Sequence, residues 1–137
     1  MLHEAHTVTT PLTLAVSAIT GDADVQAELR YDPSDPLAVS LAIGVECEEP
    51  VVWTFARDLL ADGVNHASGM GDITVEPVVD SGAVREIRIT LATDCLATMI
   101  APRDRVVEFL VESFTAVPSG TEMDRVDLDA EIASLML

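Results

Sequence analysis

"VVWTFARDLLADG", residues 51–63, changes its period part-way through. Val51, Trp53 and Phe55 alternate with Val52 and Thr54, which is the pattern of a strand with one buried face. From Ala56 the alternation stops. "ARDLLADG" (56–63) supplies about two helical turns, with Leu59 and Leu60 placed to cover a sheet. Gly63 stands where a left-handed C-terminal cap would end that helix. A strand that runs directly into a short helix makes this junction the organising point of the chain, and the flanking sequence is read from it.

Upstream, everything is period-two. "PLTLAVS" (11–17) sets Leu12, Leu14 and Val16 on one face, and "VQAELRY" (25–31) sets Val25, Ala27, Leu29 and Tyr31. "LAVSLAIGVEC" (37–47) does the same with Leu37, Val39, Leu41, Ile43, Val45 and Cys47. Turn chemistry separates the strands: "TGDAD", "DPSDP" and "EEP". Downstream, "DITVEP" (72–77) and "REIRITLA" (85–92) alternate again through "DSG", a hairpin signal. "CLATMIA" (95–101) is a weaker strand. Pro102 opens a helix to about Phe114, with Val107, Leu110, Val111 and Phe114 on one stripe. "AVPSGTE" (116–122) breaks it. Asp127 is a plausible N-cap for a last helix whose Leu128, Ile132 and Leu135 or Met136 form a seam.

Four strands and a helix followed by three strands and two helices is an α+β fold. The expectation is an antiparallel sheet of about seven strands with three helices, in two loosely similar halves. No linker, low-complexity tract or sequence repeat stands out. One domain over residues 1–137 is the economical reading, with residues 1–7 a flexible terminus.

Composition narrows the function. Of 137 residues, 49% are apolar but only 4% aromatic, and the mean hydropathy is +0.34. So aliphatic a chain is expected to bury apolar surface against another copy of itself. The net charge is −17, from 24 acids and 7 bases, and every base is arginine. That field opposes nucleic acid and anionic membrane surfaces, whose binding rests on Lys/Arg. The N-terminal "MLHEAHTVTT" has neither the basic nor the apolar region of a signal peptide. No apolar run approaches the roughly 18 residues of a membrane span. Cys47 and Cys95 lack close-spaced partners and read as buried free thiols in a reducing cytosol.

Candidate chemistry is sparse. "HASGMGD" (66–72) offers His66, Ser68, Asp72 and a G-x-G, but it lacks the third glycine of a dinucleotide loop and the lysine of a phosphate loop. It leads into a strand rather than a helix N-terminus, and it is not a G-x-S-x-G elbow. It reads as a glycine-bent joint. His3, Glu4 and His6 could begin a metal site but have no third fixed ligand. Glu46, Glu48 and Glu49 read as a solvated acidic turn. Glu122, Asp124, Asp127, Asp129 and Glu131 read as a polar face near the last helix. Trp53 reads as core. The only locally basic window holds Arg85, Arg88, Arg103 and Arg105, which could receive an acidic segment of a partner or neutralise acids of the chain itself. No catalytic, metal or cofactor site is expected.

Four stretches, "LRYDPSDPLAV" (29–39), "VVWTFARDLLADGV" (51–64), "GMGDITVEP" (69–77) and "AVPSGTEMDRVDLDAEIASLML" (116–137), together resemble the SsgA-like family. The resemblance implies a non-enzymatic regulator of sporulation and cell division in filamentous actinobacteria. It implies partners: FtsZ, the tubulin-like division protein positioned and recruited at sporulation septa, and an SsgA-like paralogue. It also implies a Whirly-like fold in a homotrimer and a cytoplasmic place at the division septum. The Whirly likeness raises single-stranded nucleic-acid binding as the alternative, which the charge and the scarcity of aromatics for base stacking oppose.

Overall fold

The computed structural model describes residues 6–18, 21–45, 50–92 and 96–125. Its strands form one antiparallel sheet in the order β4-β3-β2-β1-β8-β7-β6-β5. The first half is a meander of β1 (Val8–Ala18), β2 (Gly21–Tyr31), β3 (Ala38–Ile43) and β4 (Val51–Ala56), ending in α1 (Arg57–Gly63). The second repeats the plan with β5 (Ser68–Met70), β6 (Ile73–Asp80), β7 (Ala83–Ala92) and β8 (Leu96–Pro102), ending in α2 (Arg103–Ala116). β1 pairs with β2 along its whole length, but with β8 only from Ala15↔Ile100 to Ala18↔Ala97. That short ladder joins the halves.

The period-two reading holds through the core. Leu12 and Leu14, Ala27, Leu29 and Tyr31, Val39 and Leu41, and Ile87, Ile89 and Leu91 are buried on one side of the sheet. α2 packs over β1, β2, β7 and β8. α1 touches β4 at one edge and β5 and β6 at the other, so the sheet curls around the helices and α1 bridges its two edges. The opposite face carries polar cross-strand pairs such as Thr13–Gln26, Ser40–Thr54 and Glu76–Arg88. The "DSG" signal gives a two-residue hairpin in which Ser81 (φ 51°) and Gly82 (φ 79°) are both left-handed.

Four expectations are corrected. The sheet has eight strands, not about seven, because β5 lies inside "HASGMGD". It is too short to show a period and is recognisable only by its pairing, Ser68↔Val75 to Met70↔Ile73. Gly63 is not a left-handed cap, since it is the last residue of α1 and Val64 after it is right-handed (φ −76°, ψ −14°). Gly63 is required by close approach: a Cβ there would overlap the Val75 side chain and come within 3.0 Å of the Val75 carbonyl. The buried face of α2 is Val106, Phe109, Leu110 and Ser113, while Val111 is 60% exposed and Val107 and Phe114 are half-buried. Apolar residues occupy so much of this helix's circumference that periodicity left the inward side ambiguous. Finally, Val51, Leu37 and Val45 are exposed: Leu37 and Val45 lie in the turns on either side of β3, outside the strand, and Val51 is the first residue of β4.

Two α-helices and a 3-10 turn (Glu122–Arg125) occur among the described residues. The helix expected after Asp127 lies outside them, as do Cys47, Cys95, Glu46, Glu48, Glu49, His3 and Glu4.

Candidate functional site

The loop with the most chemical appearance shows no hydrogen bond among its three candidate side chains. His66 and Asp72 are exposed, Ser68 starts β5, and no side-chain hydrogen bond connects the three. His6 is exposed, and no group of three metal-capable side chains occurs among the described residues. Trp53 is half-buried against the core.

The most constrained polar group carries no local signal in the sequence. Arg57, the first residue of α1, has a side chain only 1% exposed. Its Nη1 donates to the Ser113 carbonyl (3.0 Å), and its Nη2 donates to Glu122 Oε1 (3.1 Å). Its guanidinium lies 4.7 Å from the Tyr31 ring centroid and 4.0 Å from that of Phe114. A planar cation that stacks and donates in two directions needs arginine rather than lysine. The Ser113 carbonyl is near the end of α2, whose last turn has no basic residue, so Arg57 supplies the positive charge that a helix C-terminus favours. Nε finds no acceptor among the described residues.

Glu122 is accordingly not a solvated acid. It is buried, with Oε1 on Arg57 and Oε2 accepting from the Gly120 N–H (2.8 Å). Its carboxyl titrates below the usual value, chiefly because its own backbone N–H bonds the charged form. Arg57 and the Gly120 N–H add to this, against the loss of solvent. Tyr31 is held in turn by its hydroxyl, which donates to the Pro36 carbonyl (3.0 Å), and the "DPSDP" turn is set by the Ser34 N–H donating to Asp32 (2.9 Å). Tyr31, Arg57 and Glu122 come from three of the four stretches that carry the family resemblance. These signature residues meet in space to brace the fold.

α2 opens the same way. Its first residue, Arg103, donates from Nε to the Val64 carbonyl (3.2 Å) and from Nη2 to Asn65 Oδ1 (3.3 Å), just past the end of α1. Each helix therefore begins with an arginine that reaches the C-terminal end of the other, so the two run head to tail. A groove of about 490 Å³ lies between them, lined by Ala61, Val64, Val107, Val111 and Phe114 among others, with Arg103 at one end. The sequence did contain a signal for this arrangement: "ARD" (56–58) and "PRD" (102–104) stand at the two strand-to-helix joints. Three residues are too short a repeat to stand out in the sequence.

The four arginines of the basic window are not gathered into one patch. Arg88 faces its cross-strand neighbour Glu76 (3.1 Å) on the side of the sheet away from the helices. Arg85 is the extra residue of a bulge, where Val78 pairs with Glu86 and Val79 with Val84, and it is exposed. Arg103 is committed to α1 as described. Arg105 lies on the surface of α2, 3.6 Å from Glu108.

The family described as "Streptomyces sporulation and cell division protein, SsgA" matches residues 25–122, a span that closes on Glu122. The "Sporulation-specific cell division protein SsgB" of Frankia casuarinae is 43% identical over 113 residues, covering 82% of this chain and 78% of that protein. The protein of the same name from Streptomyces coelicolor is 38% identical over 112 residues, covering 82% of each. The crystal structure of an SsgA-like sporulation-specific cell division protein from Thermobifida fusca superposes with a TM-score of 0.84 at 32% identity, covering 98% of this chain and 99% of that one. With the eight-stranded curled sheet and the braced signature residues in place, the chain belongs to the SsgA family of sporulation and cell division proteins.

Proposed function

We propose that the chain is a non-enzymatic adaptor in sporulation-specific cell division. It binds FtsZ together with an SsgA-like paralogue and helps position FtsZ at the sporulation septum, in the cytoplasm. The observation that carries this reading is the 43% identity over 113 residues to the Frankia protein named SsgB. The geometry supports it. The buried polar contacts of Arg57, Glu122 and Ser113 join elements of the scaffold to one another, as structural braces do. The surface offers apolar side chains, with Val51, Val52, Val79 and Val111 all more than half or about half exposed, which suits contact with other proteins. The same surface supports self-association, and the adaptor works as a homotrimer. No helix among the described residues is long and apolar enough to cross a membrane.

The test is co-sedimentation of the purified chain with FtsZ polymers from its own organism. The chain is expected in the pellet, saturably, only when polymer is present. Absence from the pellet, or normal FtsZ ladders in a strain lacking the gene, overturns the reading.

A further inference from the structure

The likeness of the two strand-to-helix joints continues into the helices they open. With Arg57 set on Arg103, Asp58 falls on Asp104, Leu60 on Val106, Ala61 on Val107 and Asp62 on Glu108. Burial follows the same match. Leu60 and Val106 are buried in the core, Ala61 and Val107 are half-buried in the groove, and all four acids are exposed. Asp62 and Glu108 directly follow Ala61 and Val107, so each stands about 100° further round its helix, on the side away from the core. Asp58 and Asp104 lie one turn earlier on the same sides. Because the helices run head to tail, the groove has an apolar floor between two acidic banks. Ala61, Val64, Val107, Leu110, Val111 and Phe114 form the floor. Asp58 and Asp62 edge one bank, and Asp104 and Glu108 edge the other.

We propose that this groove takes up a helix of a partner protein, one whose apolar stripe is flanked on both sides by lysine or arginine. The inference rests on the adaptor reading in taking the partner to be a protein, and it adds the chemistry of the segment that partner offers. Shape selects a helix. The walls are helices whose backbone groups are bonded within themselves, so an extended segment laid between them would leave its own backbone groups unpaired, whereas a helix satisfies them internally. The groove follows α2 from Phe114 back to Arg103, about 16 Å, or roughly three turns of a helix with apolar side chains at i, i+4 and i+7. Charge selects the flanks. Besides the buried Arg57, α1 and α2 carry two cations: Arg103, engaged by Val64 and Asn65 at the end of the groove, and Arg105, 3.6 Å from Glu108. The banks therefore keep a net negative charge that basic residues on both sides of the stripe would complement. A second copy of this chain would bring −17 and no lysine to that acidic rim, and an anionic lipid surface is opposed by the same acids.

The test is a titration of the full chain into a labelled helical peptide of about four turns, with leucine at i, i+4 and i+7 and lysine on both flanks. A saturable rise in anisotropy is expected, about tenfold tighter than for the same peptide with glutamate in place of lysine. Neutralising the banks together, by Asp58→Asn, Asp62→Asn, Asp104→Asn and Glu108→Gln, is expected to weaken binding about tenfold. Neutralising four exposed acids elsewhere, by Asp22→Asn, Asp24→Asn, Asp72→Asn and Glu86→Gln, is expected to leave it unchanged. Val111 is 60% exposed on the floor, so Val111→Glu is expected to abolish binding while the urea midpoint stays near that of the parent. Equal weakening by both sets of four would reduce the effect to overall charge. Equal binding of the glutamate peptide would remove the banks from it. Loss of self-association in the Val111→Glu chain would place a second copy in the groove. Each of these results overturns the proposal. FtsZ plays no part in these readouts, so their failure is distinct from failure of the adaptor reading.

Discussion

Arg57 and Arg103 hold the same position in the two halves of the chain, each the first residue of the helix that follows a half's last strand, and each bonded to the far end of the other's helix. They differ in burial. Arg57 is enclosed between two aromatic rings, whereas Arg103 is half-buried at the open end of the groove. Arg57→Ala strands a buried carboxylate and a helix-terminal carbonyl, a loss on the order of 3 kcal/mol. Arg103→Ala removes one part-buried and one exposed hydrogen bond, a loss of about 1 kcal/mol. Urea unfolding midpoints of the two variants check the difference. Equal losses would mean that Arg57 is not the brace described.

The Arg57–Glu122 contact also makes a pH prediction. Glu122 has its pKa lowered from the ordinary value of 4.5, so its charged form is favoured by folding. The resulting stability is fully present above pH 4.5 and is lost as pH falls through the lower, folded value. Glu122→Gln is therefore expected to be less stable than the parent at neutral pH, with the gap closing below pH 4.5. A gap that stays constant down to acid pH would remove the charge from the explanation.

Gly63→Ala is expected to reverse the usual sign. In an exposed helix interior, alanine in place of glycine gains about 1 kcal/mol. Here the new Cβ meets Val75 of β6, and the carbonyl 3.0 Å away belongs to backbone that cannot swing aside. Overpacking of this kind costs about 1–3 kcal/mol. The double variant Gly63→Ala with Val75→Ala tests the cause: if the clash is with the side chain, the two changes are less than additive. Strict additivity would place the cost elsewhere.

These cases mark what the sequence could and could not convey. Strand phase was legible because Leu12, Leu14, Ala27, Leu29, Val39 and Leu41 share one buried face of a regular sheet. Strand β5 was not legible, since three residues around Gly69 show no period and depend on β6 for their pairing. The inward side of α2 is ambiguous in the sequence because its apolar residues span more than half of its circumference, and only the sheet decides that Val106 and Phe109 face in. Arg57 and Glu122 lie 65 positions apart, and no local pattern makes an arginine in "FARDLL" look buried. The acids near the C-terminus read together as one polar face, although Glu122 is buried.

The basic window gives a prediction about partners. Arg85 is exposed at a bulge, and Arg88 is paired with Glu76 at a partly exposed site. Such a pair contributes no more than about 1 kcal/mol, so Arg85→Glu with Arg88→Glu is expected to remain folded. If these arginines receive an acidic segment of a division protein, the double variant binds FtsZ or the SsgA-like paralogue more weakly, and the deficit shrinks as salt rises in the parent assay. Undiminished co-sedimentation of a folded double variant would eliminate this pair as a docking site.

Single-stranded nucleic acid is expected not to bind. The protein carries −17 without a lysine, and Arg57, Arg88 and Arg103 are each committed to an oxygen of the chain itself. The face of the sheet away from the helices presents threonine, serine and glutamine side chains, not rings on which bases could stack. Association through phosphates would need several unpaired cations and would weaken steeply with salt. Titration of a labelled single-stranded oligonucleotide at low salt is therefore expected to give no change in anisotropy. Tight binding that falls steeply as salt is raised would restore the nucleic-acid alternative and count against the adaptor.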